Sequence, residues 1–306
     1  MARQRRGLPV NGVLLLDKPK GLSSNHALQR VRRLFQAQKA GHTGTLDPMA
    51  TGLLPICLGE ATKFSSHLLE ADKVYRTRVE LGVITDTGDA EGTIIEQHEV
   101  PSLSVDDVEA VLTRFRGEID QVPPMYSALK HQGKKLYELA REGKHVERAA
   151  RRVSVYDARL LAFDGSAFEL EVSCSKGTYI RTLAEDIGQA LGCGAHISQL
   201  RRLKTGPFLA DAMWTLEALE ALADQAALEA ELMPVDVLVE HLPLLTVDDT
   251  AHSRLAHGQP AALDTGVLAS DDVARLYHAE TFIGLGVVKG AQEVAPKRLL
   301  STVAIS

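Results

Sequence analysis

The chain has 306 residues, a formal net charge of −6 and 45% hydrophobic residues, which predicts a globular protein of about two domains. No apolar run approaches the roughly 20 residues that cross a bilayer, and the basic N-terminus is not followed by the apolar core of a signal peptide. The three cysteines, Cys57, Cys174 and Cys193, have neither paired nor zinc-binding spacing. We therefore expect a cytoplasmic protein in a reducing compartment, with no membrane contact and no bound metal.

Basic residues are concentrated in two blocks. Residues 1–40 contain a single acid, Asp17, among many Lys and Arg residues, and residues 130–152 form the second block. No Lys or Arg occurs between Lys204 and Arg254. This separation of charge favours a basic surface that binds a polyanion, although solvated surface charge is the ordinary alternative.

Hydrophobic patterning predicts the elements of the first half in chain order. Residues 10–16 predict a buried strand, and a helix follows whose N-terminal cap lies at 23–25. Strict alternation at 74–81 predicts another strand, and residues 93–96 are expected to return as its hairpin partner. A further helix is expected over 104–117.

The middle of the chain begins with a basic, Gly- and Pro-punctuated stretch. We expect residues 124–152 to form an exposed excursion outside the core. Alternation predicts strands at 153–161 and 168–174, and four-residue spacing of apolar residues predicts a helix from about Thr178. Another helical pattern occupies 215–231.

The last part of the chain changes character at about residue 245. Short β-like runs at 274–278, 282–289 and 299–305 are separated by Gly, Pro and Asp, which predicts a small β-rich domain at 245–306. Helices and strands precede it without regular alternation, so the whole chain is expected to be α+β.

The most distinctive segment surrounds Asp47. Residues 41–52 read Gly-His-Thr-Gly-Thr-Leu-Asp-Pro-Met-Ala-Thr-Gly. Glycines let the backbone approach a ligand closely, and Pro48 favours an extended conformation at Asp47. A structural Asx turn would explain a lone Asp in such a loop. The alternative that we favour is that Asp47 is a catalytic nucleophile.

Two distant segments supply partners for this carboxylate. Tyr75 lies on the more apolar face of its predicted strand, where a packed core aromatic is the plain alternative. Arg181 falls in the first turn of a predicted helix, and a cation there opposes the helix dipole unless a carboxylate is near. Asp47 is the candidate partner, because pairing with Arg181 would keep the carboxylate ionised and oriented. An exposed surface arginine is the alternative.

Further motifs occur in the same order along the chain. They are Leu-Asp-Lys-Pro-Lys-Gly-Leu-Ser-Ser at 16–24, Gly-Glu-Ala-Thr-Lys at 59–63, Lys-Val-Tyr at 73–75, Ser-Lys-Gly-Thr-Tyr-Ile-Arg-Thr-Leu at 175–183 and Ala-His-Ile-Ser-Gln-Leu-Arg-Arg-Leu at 195–203. Together with the Asp47 loop, they resemble the TruB family of tRNA pseudouridine synthases over roughly residues 9–210. Tyr277, Phe282-Ile-Gly-Leu-Gly and Pro296-Lys-Arg-Leu-Leu resemble, less specifically, the PUA-like C-terminal domain of bacterial members.

The resemblance implies a pseudouridine synthase catalytic domain at 1–244, with a mixed, mainly antiparallel sheet and flanking helices. It implies that Asp47 attacks the target uridine nucleotide, that Tyr75 stacks on the flipped base, and that Arg181 pairs with Asp47. Tyr75 is also a candidate to take the C5 proton. Three residues are implied to bind the substrate: Tyr179 and Leu200 around the base, and His42 in the gap left in the RNA stack.

The implied reaction detaches uracil from its ribose, rotates it and rejoins it through C5, at position 55 in the T-loop of tRNA. It needs no cofactor, metal, guide RNA or obligate protein partner, and we expect a monomer that binds the T stem-loop. The excursion at 124–152 would clamp the RNA. Candidate contacts to the RNA backbone are Lys18, Lys20, Lys63, Lys130, Lys134, Lys135, Arg151 and Arg152.

Three other functions remain possible from the sequence. An aspartate-dependent hydrolase of glycosidic bonds would need a second carboxylate, and neither Asp17 nor Glu60 is clearly paired with Asp47. A non-catalytic RNA-binding protein or tRNA chaperone would tolerate loss of Asp47. A guide-RNA-dependent relative would use the same scaffold. The sequence also leaves open whether Asp47 attacks C1′ of the ribose or C6 of the base.

Overall fold

The computed structural model describes residues 7–290 and 292–301. The first basic residues of the chain, and the end of the strand expected at 299–305, lie outside this part.

The chain up to the basic excursion contains these elements: β1 (Gly12–Lys18), α1 (Ser24–Leu34), β2 (Ala40–His42), β3 (Thr51–Leu58), α2 (Ser66–Leu69), β4 (Lys73–Leu81), β5 (Val83–Thr85), β6 (Ile94–Gln97), α3 (Val105–Thr113) and β7 (Gly117–Gln121). Ser23 caps α1 by accepting a hydrogen bond from the His26 amide, and Ser104 forms a capping box with Asp107 at α3. The predicted strands and helices of this part are confirmed to within a few residues.

The next part contains β8 (Lys130–His131), β9 (Lys134–Lys135), α4 (Leu136–Arg141), β10 (Arg151–Phe163), β11 (Ala167–Cys174), α5 (Ile180–Ala190), β12 (Ala195–Thr205), β13 (Phe208–Leu209), α6 (Leu216–Glu220) and α7 (Gln225–Ala230). The C-terminal part contains β14 (Leu244–Val247), α8 (Asp249–Ala256), β15 (Ala261–Ala262), β16 (Val273–His278), β17 (Thr281–Val288) and β18 (Glu293–Leu299). The α+β class is confirmed.

One large sheet organises the described residues before Leu244. Its strands lie in the order β1-β3-β12-β4-β11-β10-β7, with β2 on β3 and β13 on β12. Neighbours are antiparallel except β12 and β3, which are parallel. β12 therefore lies between two strands that come much earlier in the chain, and it brings their ends together.

Both faces of the large sheet are covered. Leu14 and Leu16 of β1 belong to a core shared with α1 and α5, whereas Val13 and Leu15 belong to a second core on the opposite face. A strand buried on both sides needs an apolar residue at every position. This explains the unbroken Val-Leu-Leu-Leu run in β1.

The second core joins the large sheet to the C-terminal part. That part forms a five-stranded sheet in the order β14-β16-β17-β18-β15. Leu285 of β17 packs into the second core, and the rings of Phe64 and Phe282 meet edge to face with centroids 5.5 Å apart. The boundary at 244/245 stays a prediction.

Several expectations about local structure were wrong. Residues 93–96 do not pair with β4, because β11 and β12 already occupy both of its edges; β6 pairs with β5 instead. The helical pattern at 215–231 is split into α6 and α7, because Asp224 begins a new helix by capping it. The third C-terminal strand, Glu293–Leu299, ends where the predicted strand begins, and residues 302–305 of that prediction lie outside the described part.

The basic excursion has an apolar cluster of its own, and its bounds are shifted by two residues from the expected 124–152. Met125, Leu136 and Leu139 form a small apolar cluster of their own. Arg151 and Arg152 already belong to β10, where they pair with the end of β7. The excursion is thus a compact unit attached to the edge of the large sheet, and we call residues 122–150 the insertion.

The described residues contain no helix long and apolar enough to cross a membrane. Cys57, Cys174 and Cys193 are free and buried.

Candidate active site

A cavity of about 240 Å³ lies where the Asp47 loop, β4, β12 and the start of α5 meet. Five of the six predicted catalytic and substrate-binding residues line it: Asp47, Tyr75, Tyr179, Arg181 and Leu200. These side chains come from segments far apart in the chain. The large sheet brings them together because β4 and β12 are neighbours in it.

The Asp47 loop is held by contacts to its backbone. Ser24 of α1 accepts a hydrogen bond from the Leu46 amide at 2.8 Å and donates to the Leu46 carbonyl at 2.9 Å. Where the loop enters β3, Gly52 has a φ of +97°, and a Cβ there would lie 2.3 Å from the Arg202 carbonyl oxygen. A side chain would separate the loop from β12, so the glycine is required by this close approach.

Lys18 supports the same loop from inside. Its ammonium donates to the carbonyls of Leu22 at 2.6 Å, Pro19 at 2.9 Å and Pro48 at 3.3 Å, and the residue is fully buried. Burial lowers the pKa of Lys18 to about 8, while the nearby Asp47 acts in the opposite direction. The structure therefore does not place this ammonium where an RNA phosphate could reach it.

Arg181 is the central side chain of the site. Its Nη2 lies 3.1 Å from Asp47 Oδ2, and its Nη1 lies 3.7 Å from Asp89 Oδ2. Nη1 also donates to the Thr87 carbonyl at 2.8 Å, and Nη2 donates to the Tyr126 carbonyl at 2.7 Å. Only 5% of the side chain is exposed. The guanidinium is therefore fixed from several directions, and one of its partners belongs to the insertion.

The environment of Asp47 combines opposing effects. Burial raises the pKa of this carboxyl above its ordinary value, and Asp89 adds to the increase. Arg181 and Lys18 oppose it through their positive charges. Asp47 keeps 35% of its side chain exposed at the cavity, while the cation that holds it is buried and fixed. A carboxylate that is oriented in this way and still reachable has the properties of a nucleophile.

The walls of the cavity are built by β4, β12 and the first turn of α5. Tyr75 lies directly opposite Arg202 in the β4–β12 register, and Leu200 is 8% exposed at the cavity wall. The Tyr179 amide donates to Gln121 Oε1 at 3.1 Å, and Gln121 Nε2 donates back to the Tyr179 carbonyl at 3.3 Å. This reciprocal pair fixes the start of α5.

His42 lies apart from these residues. It ends β2, is half-buried, and does not line the cavity as the structure describes it. Its Nδ1 is buried without a hydrogen-bond partner among the described residues. Burial and the charge of Arg202 lower the pKa of His42, so the imidazole is neutral at pH 7.

The predicted RNA-backbone residues fall into two groups. Exposed side chains are found at Lys20, Lys130, Lys134, Arg151 and Arg152, and Lys135 is partly exposed. Lys63 instead donates to Glu60 at 2.8 Å, to the Leu299 carbonyl at 3.0 Å and to Ser301 Oγ at 2.8 Å. Lys63 thus joins the large sheet to the C-terminal part. Like Lys18, it makes its contacts within the protein.

Sequence reasoning missed two charged residues of the site. Asp89 is 5% exposed behind Arg181, and Arg202 is 1% exposed behind Tyr75. Asp89 sits in a turn cluster, where Asp is common for local reasons. Arg202 lies in the motif at 195–203, and its position opposite Tyr75 depends on a strand register that the sequence does not reveal.

The site has no arrangement typical of a metal centre. No group of His, Cys, Asp or Glu side chains in residues 7–290 and 292–301 is placed to hold a metal ion. Asp89 forms an ion pair with Arg181, as Asp47 does. Among the described residues, Asp89 is not part of the cavity lining. It is therefore a partner of the arginine rather than the second carboxylate that a glycosidic hydrolase would use.

Family models match nearly the whole chain. Residues 32–180 match the TruB family pseudouridylate synthase N-terminal domain, residues 181–240 the tRNA pseudouridylate synthase B C-terminal domain, and residues 243–300 the pseudouridine synthase II TruB C-terminal domain.

Curated relatives match over similar lengths. A tRNA pseudouridine synthase B of Chromohalobacter salexigens is 67% identical over 306 residues, covering 100% of this chain and 99% of the relative. One of Chromobacterium violaceum is 54% identical over 294 residues, covering 95% of each chain.

Solved structures share the fold. A chain described as "Crystal Structure of a Cbf5-Nop10-Gar1 Complex" has a TM-score of 0.70 and 29% identity, over 94% of this chain and 84% of that one. Another, "Structure of H/ACA RNP bound to a substrate RNA containing 2'-deoxyuridine", has a TM-score of 0.69 and 26% identity, over 98% of this chain and 91% of that one.

The fold, the cavity and these similarities define an enzyme of the pseudouridine synthase class, which is a class of isomerases. More specifically, the chain belongs to the TruB family of pseudouridine synthases.

Proposed function

We propose that the protein converts the uridine at position 55 in the T-loop of tRNA to pseudouridine, with Asp47 as nucleophile and without cofactor, guide RNA or obligate protein partner. The observation that carries the proposal is the pairing of Asp47 with the buried Arg181 in a cavity that Tyr75 and Leu200 also line. The name of the relatives, tRNA pseudouridine synthase B, supports tRNA as the substrate. A cytoplasmic monomer is the form we expect.

The chemistry assigns one task to each cavity residue. Asp47 attacks the target nucleotide, and Arg181 keeps the carboxylate charged and directed at it. Tyr75 stacks on the uracil, which every base permits because each offers a π face. Tyr179 and Leu200 enclose the ring while it rotates and rejoins the ribose through C5. Because atoms are only rearranged, the reaction requires no oxidant, reductant or energy source.

Access to the uridine requires that it leave the RNA stack. Flipping a nucleotide costs a few kcal/mol, which contacts to phosphates offset. The exposed basic side chains of the insertion and of β10 are suited to those contacts. His42, neutral and with an unpaired buried nitrogen, is the candidate to occupy the vacated place in the stack.

The test uses purified protein and an unmodified tRNA transcript alone. After incubation, pseudouridine is mapped chemically along the RNA. We expect one product, at the T-loop uridine, and none in a transcript with cytidine at that position. Product at another site would reject the substrate assignment, and a need for added RNA or protein would reject independent action.

The insertion is expected to contribute to RNA affinity. Replacing Lys130, Lys134 and Lys135 by glutamine should weaken tRNA binding and flatten the dependence of log K on log salt by ~0.7–0.9 for each phosphate that is no longer neutralised. Filter binding at several salt concentrations measures both quantities. Glu142, whose carboxylate lies 3.6 Å from Lys134 and 2.7 Å from Lys144, provides the matched control. Glu142→Gln should leave binding equal or tighter, and an unchanged slope in the lysine variant would refute the clamp.

As pH is lowered, turnover should begin to fall at a higher pH than the ordinary pKa of an aspartate would predict. Asp47 must be ionised to attack, and burial raises its pKa above the ordinary value of 3.8. The rate is therefore lost as pH falls through this raised pKa. Lys18→Met removes a cation that lowers the pKa of Asp47, so its acid limb should move to higher pH. The control is Lys20→Met, an exposed neighbour in the same segment. The measurement is the single-turnover rate as a function of pH for each variant. If the acid limb of Lys18→Met coincides with that of wild type, the assignment of this limb to Asp47 is contradicted.

A further inference from the structure

Arg202 is a buried cation without a carboxylate partner among the described residues. It is 1% exposed, and its Nε donates to the Leu53 carbonyl at 2.6 Å and its Nη2 to the Gly44 carbonyl at 3.2 Å. Burying a charge that is not paired with an opposite charge costs several kcal/mol. Arg181 in the same site has two carboxylates. Stability alone therefore does not explain why an arginine occupies position 202.

The neighbour of Arg202 across the sheet is Tyr75. The two residues are directly opposite in the antiparallel β4–β12 pair, and both line the cavity. Residues in this relation project from the same face, with Cβ atoms ~4.5–5.5 Å apart. The Arg202 side chain acts on Tyr75 through its charge and a side-chain hydrogen bond, so the guanidinium lies beside the tyrosine at the cavity.

The surroundings of Tyr75 act on its pKa in opposite directions. Burial raises the pKa of Tyr75 most, and Asp47 of the loop and Cys174 of β11 act in the same direction. Arg202, from β12, lowers the pKa of Tyr75. Tyr179, which precedes α5, Arg181 of α5 and Lys73 of β4 are further polar residues of the lining. Arg202 is therefore placed to stabilise a negative charge on the Tyr75 oxygen against the effect of its surroundings.

We propose that Arg202 is a positioning residue that makes Tyr75 the acceptor of the C5 proton, by holding a buried positive charge beside the phenolate oxygen. The inference rests on the proposed function, because it concerns the last step of that reaction. It adds a role for Arg202, which acts through Tyr75 rather than on the base itself.

The step balances without a further reactant except water. After uracil has rejoined the ribose, C5 carries both the ribose carbon and a hydrogen. Tyr75 loses its phenolic proton to water, and the phenolate then takes the C5 proton. The C5–H electron pair forms the C5–C6 double bond, while the electron pair of the C6–N1 double bond moves to N1, which takes a proton from water. Tyr75 ends neutral, and the transient phenolate is the species that Arg202 stabilises.

Arg202→Gln and Arg202→Lys form the matched test. Glutamine keeps an amide donor for the loop carbonyls but removes the charge, whereas lysine keeps the charge but loses the planar fork. In the first measurement, the protein is labelled with ¹³C at tyrosine Cζ and titrated by NMR without RNA. Tyr75→Phe identifies the Tyr75 signal. We expect the titration midpoint of Tyr75 to rise in Arg202→Gln and to stay near wild type in Arg202→Lys. A midpoint unchanged by Gln would overturn the proposal.

The second measurement follows release of tritium from C5 of [5-³H]uridine tRNA in a single turnover. Arg202→Gln should slow release by roughly 10- to 100-fold near pH 7, within the range of general-base effects, with tRNA affinity unchanged. The rate should recover as pH rises, and the Gln variant should add no loss in a Tyr75→Phe background. An equal, pH-independent loss in that background would mean that Arg202 only holds the loop.

Two outcomes keep the inference separate from the proposed function. The NMR titration contains no RNA, so it decides the coupling of Arg202 to Tyr75 even if the wild-type enzyme proves inactive on the T-loop. If Arg202→Gln does not fold, Arg202→Lys decides alone. A Tyr75 midpoint near wild type with turnover retained supports the proposal, and a loss of turnover that higher pH does not restore overturns it.

Discussion

Asp47→Asn is expected to reduce pseudouridine formation by more than ~10³-fold while leaving tRNA binding near wild type. The amide is nearly the same size as the carboxylate but cannot attack the nucleotide. Most of the RNA contacts that we propose lie elsewhere, on the insertion and on β10. Single-turnover product mapping measures the loss, and filter binding measures affinity. Retained turnover would reject Asp47 as nucleophile.

The same variant makes a prediction about stability. Because burial raises the pKa of Asp47, the folded state binds this proton more readily than the unfolded chain, and ionised Asp47 destabilises the fold above the raised pKa. Arg181 still has Asp89 and the Thr87 and Tyr126 carbonyls as partners in this variant, so its charge is not left unpaired. Asp47→Asn should therefore have a Tm at least equal to that of wild type near neutral pH. Asp211→Asn is the control: Asp211 is exposed and does not line the described cavity, so both turnover and Tm should stay near wild type.

Arg181→Met is expected to have the second largest effect, on both stability and turnover. Removing one partner of a buried ion pair costs ~3–5 kcal/mol, because the other charge is left buried. Here Asp89, with 7% of its side chain exposed, is the charge left buried, and the partly exposed Asp47 loses the same cation. We expect urea unfolding at a lower midpoint and turnover reduced by ~10²-fold or more, because the nucleophile is no longer oriented. Arg181→Lys, which retains the charge without the fork, should lie between Met and wild type.

Arg201 provides the comparison within the same protein. It pairs with Asp17 through two contacts of 3.0 and 2.7 Å, but 40% of its side chain is exposed. Exposed pairs contribute ~0–1 kcal/mol, so Arg201→Met should change the free energy of unfolding by no more than about that. A loss as large as that of Arg181→Met would show that burial is not what distinguishes the two arginines.

Local patterns carried most of the fold prediction. The alternation in β4, the serine caps of α1 and α3 and the four-residue spacing in α5 depend on neighbouring residues only, and they gave elements close to those observed. The mistaken partner of residues 93–96 has a different origin. Pairing depends on which strand edges are free, and β12 reaches the edge of β4 from a distant part of the chain.

The residues of the candidate site also fall into those that local patterns predict and those that depend on distant contacts. Arg181 was found because a cation in the first turn of a helix needs a partner, and this argument is local. Arg202 and Asp89 act only through contacts made in three dimensions. Lys18 shows the limit most clearly: a lysine in a basic block looks like a surface contact, yet its ammonium is turned inward to three carbonyls. Charge counts along a sequence do not indicate the direction of a side chain.

The place of β12 in the large sheet has a consequence for how the enzyme is made. β3, which follows the Asp47 loop, and β4, which carries Tyr75, are synthesised first, but they are joined only through β12. Until the ribosome has passed Thr205, each of them has an unpaired edge, which is a hazard for aggregation. When β12 pairs with β3 and β4, it covers the open edge of each strand. The same event brings Leu200 and Arg202 into the cavity. Completion of the sheet and assembly of the candidate site therefore coincide, and a nascent chain without β12 has neither.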